Sequence, residues 1–333
     1  MKKGLLIIAV TMAMGTRAQD YFYSQMYNQP LMTNPALTGQ FRGDYRVGLH
    51  YRTQWSAVGD AFKTPGASFD AKLVKRPGSR NFLSVGGYVL QDKAGKAGLK
   101  NFHAALNSAY NLVIDRSSSL AFGLQVGFIQ RSINFDGLAW DRQYNGVAYD
   151  PALPTGEFFA TQKTSGLDLG GGLVYARELN RDMDLVGGLA IFHYRQGQSF
   201  LGTEEDRLVM RQSLYGQVEH QTSIIDFTYH LRVYKQARAL MADFGAQGIY
   251  RLGSDSRHSG INRSSGIIGG LYYRVGDSAS LHAGFEYRRA YQFFVSYDVN
   301  VSGLRPATGM RGALEFSLIY QDWFMRSNIK VFR

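Results

Sequence analysis

The sequence predicts an all-β protein, an antiparallel transmembrane β-barrel of the outer-membrane type with about fourteen strands. Three observations predict it. Short runs alternate between apolar and polar residues along nearly the whole chain. Glycine (38), tyrosine (21) and phenylalanine (21) are abundant, while proline is scarce (7). In the first half, short turns also alternate with longer connections.

Successive side chains of a strand point to opposite faces, so period-two alternation makes a ribbon with one apolar and one polar face. A soluble sheet buries its apolar row under a second layer. A barrel in a bilayer turns that row to lipid and keeps the polar row in its lumen. Mean hydropathy is slightly negative, and no window beyond the N-terminus approaches the roughly 18 apolar residues of a spanning helix. A helical membrane protein is thereby excluded, whereas barrel strands escape such a search because every second residue is polar.

Taken in order, residues 1–18 carry Lys2 and Lys3, an apolar centre between Leu5 and Met14, and Thr16-Arg17-Ala18 before Gln19. That order predicts a signal peptide and export. Residues 19–42 are irregular and punctuated by Pro30, Pro35 and Gly39. Their aromatic content (Tyr21, Phe22, Tyr23, Tyr27) predicts a lead-in that packs on the base of the barrel or plugs its opening. The barrel, residues 43–333, opens with Tyr45, Val47, Leu49 and Tyr51 set against Asp44, Arg46, His50 and Arg52. It returns as Ala67, Phe69, Ala71 and Leu73 against Ser68, Asp70 and Lys72. The clearest later run sets Leu120, Phe122, Leu124, Val126 and Phe128 against Ala121, Gly123, Gln125 and Gly127. The last sets Leu314, Phe316, Leu318 and Tyr320 against Ala313, Glu315 and Ser317. Glycines on the polar face, including Gly86, Gly123 and Gly172, leave room inside. Tyrosines beside basic residues (Tyr51, Tyr250, Tyr287) predict an interfacial aromatic girdle.

Segments 75–80, 115–118 and 178–183 read as short turns, and 53–64, 132–163 and 198–209 as long loops. Outer-membrane barrels have short periplasmic turns and longer outer loops, so the first half fits a chain that starts in the periplasm. The alternation weakens at 253–263. No linker interrupts the pattern, and a single barrel domain is expected.

The absence of cysteine excludes disulfides, thiol nucleophiles and thiolate metal sites. The net charge of +11 raises nucleic acid as a partner. However, Lys2, Lys3 and Arg17 belong to the leader, and the other charges recur singly at alternate strand positions, so no nucleic-acid partner is expected. The histidines lack H-x-x-x-H or H-E-x-x-H spacing and no G-x-S-x-G occurs. No metal, cofactor or catalytic residue is therefore expected, and the protein reads as a non-enzyme. The polar face carries Arg46, His50, Arg52, Asp70, Lys72, His230, Arg232, Glu286, Arg288, Asp298 and Glu315. One reading is a selective pore or a carboxylate–histidine site. The favoured reading is a network of paired charges that fills and stiffens a lumen.

Asn34-Pro35-Ala36 with Gly39, then YRVGLHYRTQW from Tyr45, then Ser68-x-Asp70, resemble the opening of the PorP/SprF family of type IX secretion and gliding-motility membrane proteins. Tyr297-Asp298 in a late strand and Glu315 leading the final strand extend the resemblance over nearly the whole mature chain. It departs where Gln29-Pro30 replaces a simple Asn-Pro, and where no histidine precedes Glu315. The resemblance implies an outer-membrane barrel of a Gram-negative bacterium that works by binding. Implied partners are outer-membrane lipid, the periplasmic type IX secretion machinery and a secreted adhesin-like protein. On this reading Trp140, Tyr144, Tyr149, Phe158 and Phe159 in the 132–163 loop are candidate partner-binding residues, because exposed aromatics make good anchors. Equally, they could fold the loop over the barrel mouth. The competing class is a passive or solute-specific pore.

Overall fold

The structure is a computed structural model that describes residues 23–54, 62–75, 80–95, 98–133, 140–154, 163–194, 208–253, 264–303 and 305–323. The leader and Phe158 and Phe159 lie outside the described residues.

Fourteen antiparallel strands close into a barrel, each paired to its sequence neighbours and β1 to β14. The first seven are β1 (Tyr45–Gln54), β2 (Phe62–Lys75), β3 (Phe82–Ala94), β4 (Leu99–Val113), β5 (Ser118–Ser132), β6 (Lys163–Glu178) and β7 (Met183–Phe192). The second seven are β8 (Arg211–Gln221), β9 (Ile225–Gln236), β10 (Ala239–Leu252), β11 (Ser265–Arg274), β12 (Ser278–Tyr287), β13 (Tyr291–Asn300) and β14 (Arg311–Asp322). The shortest has 10 residues and the longest 16, enough for each tilted strand to cross a bilayer. No helix among the described residues is long and apolar enough to do so.

The two faces separate as the alternation predicts. Leu106 and Leu124 are 75% and 71% exposed on the outer surface, while their neighbours Asn107 and Gln125 are 3% and 1% exposed inside. The exposed leucines form the apolar belt a bilayer requires. Tyr45, Tyr287, Tyr291 and Tyr320 meet near one rim, with Tyr45 Oη donating to Tyr320 Oη at 3.1 Å and the Tyr291 and Tyr320 rings stacked at 4.6 Å. Such amphipathic rings suit a membrane–water boundary.

β1 starts and β14 ends at the same mouth, where Tyr45 pairs with Asp322; we call it the terminal mouth. The opposite, loop mouth carries the connections 55–61, 133–162, 193–210 and 301–310. Asp115 shapes the turn between β4 and β5 at the terminal mouth. Its carboxylate accepts from Ser117 N and Ser118 N, both at 2.7 Å, and the bonds from Ser117 hold its pKa below the usual value. The weakened alternation at 253–263 has a structural explanation. The long connection between β10 and β11 lies at the terminal mouth, while β9 and β10 are joined at the loop mouth by residues 237–238 alone. Ala237 takes the positive φ (+52°) that so tight a hairpin needs.

The interior is not a packed side-chain core. Residues 23–44 pass through it as a strap with three short helical turns, Met26–Asn28, Pro30–Thr33 and Pro35–Leu37. Two apolar clusters lock it to the wall. Leu31 packs with Tyr88, Leu90 and Ala105, and Ala36 and Leu37 pack with Ala121, Val174 and Tyr215.

Candidate functional site

Along its length the strap meets different kinds of partner, beginning near the loop mouth and ending near the terminal mouth. At the top, Ser24 and Gln25 sit in a cluster of paired charges. Arg52 of β1 bridges Asp298 of β13 and Glu315 of β14, each at 3.0 Å. Ser24 Oγ donates to Asp298 Oδ2 at 2.6 Å, and the backbone amides of Ser24 and Gln25 donate to the two oxygens of Glu315 at 2.8 and 3.0 Å. Arg274 reaches Ser24 Oγ (3.2 Å) and Asp243 (2.7 Å), and Arg232 also binds Asp243 (2.8 Å). These three arginines and three carboxylates are nearly inaccessible, and Arg274 also pairs with a fourth, partly exposed carboxylate, Asp277, at 2.9 Å. Buried ions persist only when paired and hydrogen-bonded in this way. An extra residue in β14 opposite Asp298 shifts the register between β13 and β14, which is how a bulge re-aims a side chain.

One level down, Tyr27 lies among aromatic rings. Its own ring is stacked 5.3 Å from His230 and 5.4 Å from Tyr272, and its hydroxyl contacts His282 Nδ1 at 3.0 Å. Further along the strap, Asn107 Nδ2 donates to Leu31 O at 3.2 Å, and Arg211 Nη2, from the loop-mouth end of β8, donates to Met32 O at 3.2 Å. Asn34 then acts as a clamp. Its Nδ2 donates to the carbonyls of Leu173 (β6) and Leu189 (β7) at 3.0 and 3.1 Å, and its Oδ1 accepts from Ala36 N at 2.9 Å. At the bottom, Arg46 forms a two-point ion pair with Asp70 (2.9 and 2.8 Å), whose Oδ2 also accepts from Gly39 N at 2.8 Å. Lys72 Nζ donates to Phe41 O at 2.7 Å, and the Arg46 guanidinium covers the Phe41 ring at 4.5 Å. Nearby, Arg251 pairs with Asp226 at 2.7 Å and with Glu286.

The inward glycines leave room for this strap. A Cβ at Gly123 would collide with the Pro35–Ala36 backbone, and one at Gly172 with the Asn34 amide. Gly123→Val is therefore expected to lower the thermal stability of the detergent-solubilised barrel by about 1–3 kcal/mol through overpacking. Gly187→Val, where a Cβ would meet only Tyr215 O at 3.9 Å, is expected to leave it unchanged. Equal unfolding midpoints for the two variants would contradict the fit.

Of the predicted lumen residues, Arg46, His50, Arg52, Asp70, Lys72, His230, Arg232, Glu286, Asp298 and Glu315 line the interior. They do not form one site; strap residues lie between them at several depths. Arg288 is a correction. It lies beyond the end of β12, in the tight turn 288–290, exposed and with φ +53°, so it does not face the lumen. Ser24, Arg274 and His193 escaped the sequence reading. His193 sits one residue past β7 with φ +58°, and its Nδ1 lies 2.9 Å from Asp168 Oδ1, while His103 Nε2 lies 3.3 Å from Asp168 Oδ2. The trio ties β4, β6 and the end of β7 beneath the long connections.

Part of the 133–162 connection forms a small hairpin of its own. Tyr144 and Tyr149 pair across it, and the Asn145 side chain caps the amides of Val147 and Ala148 at 2.9 Å each. Gln143, buried beneath, receives Trp140 N (3.2 Å) and Tyr149 Oη (3.3 Å) and donates to Leu153 O at 3.1 Å. Tyr144 (58%), Val147 (88%) and Tyr149 (47%) are left exposed at the tip, with Trp140 half-buried at the base.

A closed barrel with an apolar belt, a polar lumen and an internal strap defines a plugged β-barrel of the outer-membrane type. The chain belongs to the PorP/SprF family of type IX secretion system membrane proteins, which it matches over residues 15–320. A search of curated proteins gives no match. Among solved structures the chain is similar to the CymD monoaromatic hydrocarbon channel, with 13% identity over 88% of this chain and 92% of that one at a TM-score of 0.51. It is also similar to the Pseudomonas putida toluene transporter TodX, with 9% identity over 92% and 94% at a TM-score of 0.50. At such identities the likeness is one of fold.

Proposed function

We propose that this protein is a non-enzymatic docking barrel of the type IX secretion system. The terminal mouth faces the periplasm and meets the motor-linked machinery there, and the loop mouth faces outward and holds the terminal domain of an exported adhesin-like protein. Export to the outer membrane proceeds through the leader at 1–18. The observation that carries this reading is the strap: polar bonds hold it to the wall from Ser24 down to Phe41, so the working surfaces are the two mouths. The exposed Tyr144–Tyr149 hairpin supports the outward contact, because a rigid aromatic tip loses little entropy on binding.

Deleting residues 140–159 is expected to abolish surface display of the substrate while the barrel still assembles. The checks are immunolabelling of the substrate on intact cells and heat-modifiable migration of the barrel from outer membranes. Normal display with an assembled barrel would sink the docking role of this loop.

A further inference from the structure

Charge in the lumen is paired, but on one sector of the outer surface it is not. At the loop-mouth end of β2, β3 and β4, Lys63 lies opposite Lys93 and Lys93 opposite Lys100. Lys100 in turn lies opposite Ser132 at the end of β5, and Ser132 opposite Lys163 at the start of β6. All four lysines are exposed. Thr64 and Asp92, next in sequence to Lys63 and Lys93, bond to each other at 2.7 Å inside the barrel, so the lysines beside them point outward. Like charges directly opposite on neighbouring strands repel. Ladder partners stand about 5 Å apart, which brings Lys63, Lys93 and Lys100 within about 10 Å of one another. None of the four lysines makes an ion pair or hydrogen bond among the described residues.

We propose that Lys63, Lys93 and Lys100, with Lys163 beside them, bind the phosphates of an outer-leaflet lipid, the phosphorylated sugar end of lipopolysaccharide. The proposal rests on the orientation given above, with the loop mouth outward. Height in the membrane supports it. Two residues nearer the bilayer centre the outward row reads Gln91, Phe102, Gln130 and Ser165, and two further it reads Val89, Ala104, Phe128 and Leu167. Val89, Phe128 and Leu167 are exposed and begin the apolar belt. Four residues of a tilted strand place the lysines about 10 Å beyond that belt, at headgroup level. A lysine stem can lie along apolar surface such as Phe102 while its ammonium reaches a phosphate. At the terminal-mouth end of the same sector the outward row is apolar and aromatic, with Leu112, Leu120 and Tyr175 side by side. The charge therefore suits one leaflet and not the other. A phosphate carried on acyl chains is held at this height by the belt below it, whereas a free anion is not. Ser132 and Lys163 also flank the 133–162 connection, so a lipid bound here would steady the base of the Tyr144–Tyr149 hairpin.

The full chain and Lys63→Gln/Lys93→Gln/Lys100→Gln are purified in a non-ionic detergent and titrated with lipid A, with lipid A stripped of its phosphates, and with inorganic phosphate. Native mass spectrometry reads retention. The parent is expected to hold lipid A roughly 10- to 100-fold more tightly than the triple variant, and to hold neither of the other probes. Without lipid, the variant should unfold at the same temperature as the parent or higher, because its like charges are gone. Equal affinity of parent and variant for lipid A would overturn the proposal, as would undiminished binding of the stripped lipid. Retention of inorganic phosphate as firm as that of lipid A would overturn the lipid as its source. A variant that unfolds earlier without lipid would overturn it too, since the lysines would then serve the barrel itself. The orientation is tested separately. The chain contains no cysteine, and Val147→Cys at the exposed hairpin tip should react with a membrane-impermeant maleimide on intact cells. Reaction only after the outer membrane is permeabilised would overturn the proposal through the orientation, whatever the lipid titration gives.

Discussion

Replacing Arg52 with methionine is expected to free the top of the strap before the barrel itself gives way. Arg52 is the shared partner of Asp298 and Glu315, and all three side chains are almost fully buried. Removing it leaves two adjacent carboxylates facing each other around Ser24 in a space from which water is largely excluded. Breaking a buried pair in this way costs about 3–5 kcal/mol, because the remaining charge is uncompensated. The carboxylates find relief most readily by letting in water, and the strap is the part that can move. Limited proteolysis of detergent-solubilised protein is therefore expected to cut near Ser24 in Arg52→Met and not in the parent. The temperature of heat-modifiable unfolding should fall in parallel. The triple variant Arg52→Met/Asp298→Asn/Glu315→Gln removes the charges while keeping one acceptor oxygen at each of positions 298 and 315, and it should recover part of the loss. A single variant as resistant as the parent would show that the ion cluster does not hold the strap. A triple variant no better than the single would assign the loss to packing.

How much of this arrangement is visible in the sequence depends on how local its cause is. Alternation is a property of neighbouring residues, so the strand faces could be read directly: Leu106 and Leu124 to the belt, Asn107 and Gln125 to the lumen. The ends of strands are less legible. Arg288 continues the alternation of β12 in sequence, but the chain turns there with φ +53° at Arg288 and +52° at Arg289. Nothing in the residue types requires that turn; both are bulky residues in a region that favours glycine. His193 escaped for the same reason, one residue beyond β7. The irregularity of residues 19–42 is plain from Pro30, Pro35 and Gly39, but their path is not. Asn34 bonds to Leu173 and Leu189, more than a hundred positions away, and no local pattern encodes such a contact. The one trace is indirect: glycines at 123 and 172 on the polar face mark space, without saying what fills it.

Removing that filling leads to the second large effect. Barrels of eight strands are filled by their own side chains, while those of sixteen or more hold an aqueous channel. Fourteen strands fall between, and here small inward residues widen the gap that the strap closes. Deleting residues 23–40 while retaining the leader is expected to turn a barrel without steady conductance in planar bilayers into one with discrete channel steps, raising the mean current at least about tenfold. The polar wall left behind (Arg46, Asp70, Arg232, Asp243, Asp298, Glu315) would hydrate, which repays much of the lost strap bonding and lets the emptied barrel stand. Should the deletion fail to assemble, Gly123→Val/Gly172→Val offers a second route. Both substitutions push against residues 34–36, so they are expected to give flickering openings as the strap is expelled in part. Steady channels in the parent, equal in size to those of the deletion, would mean that the strap does not seal the lumen, and the pore reading would then displace the docking one.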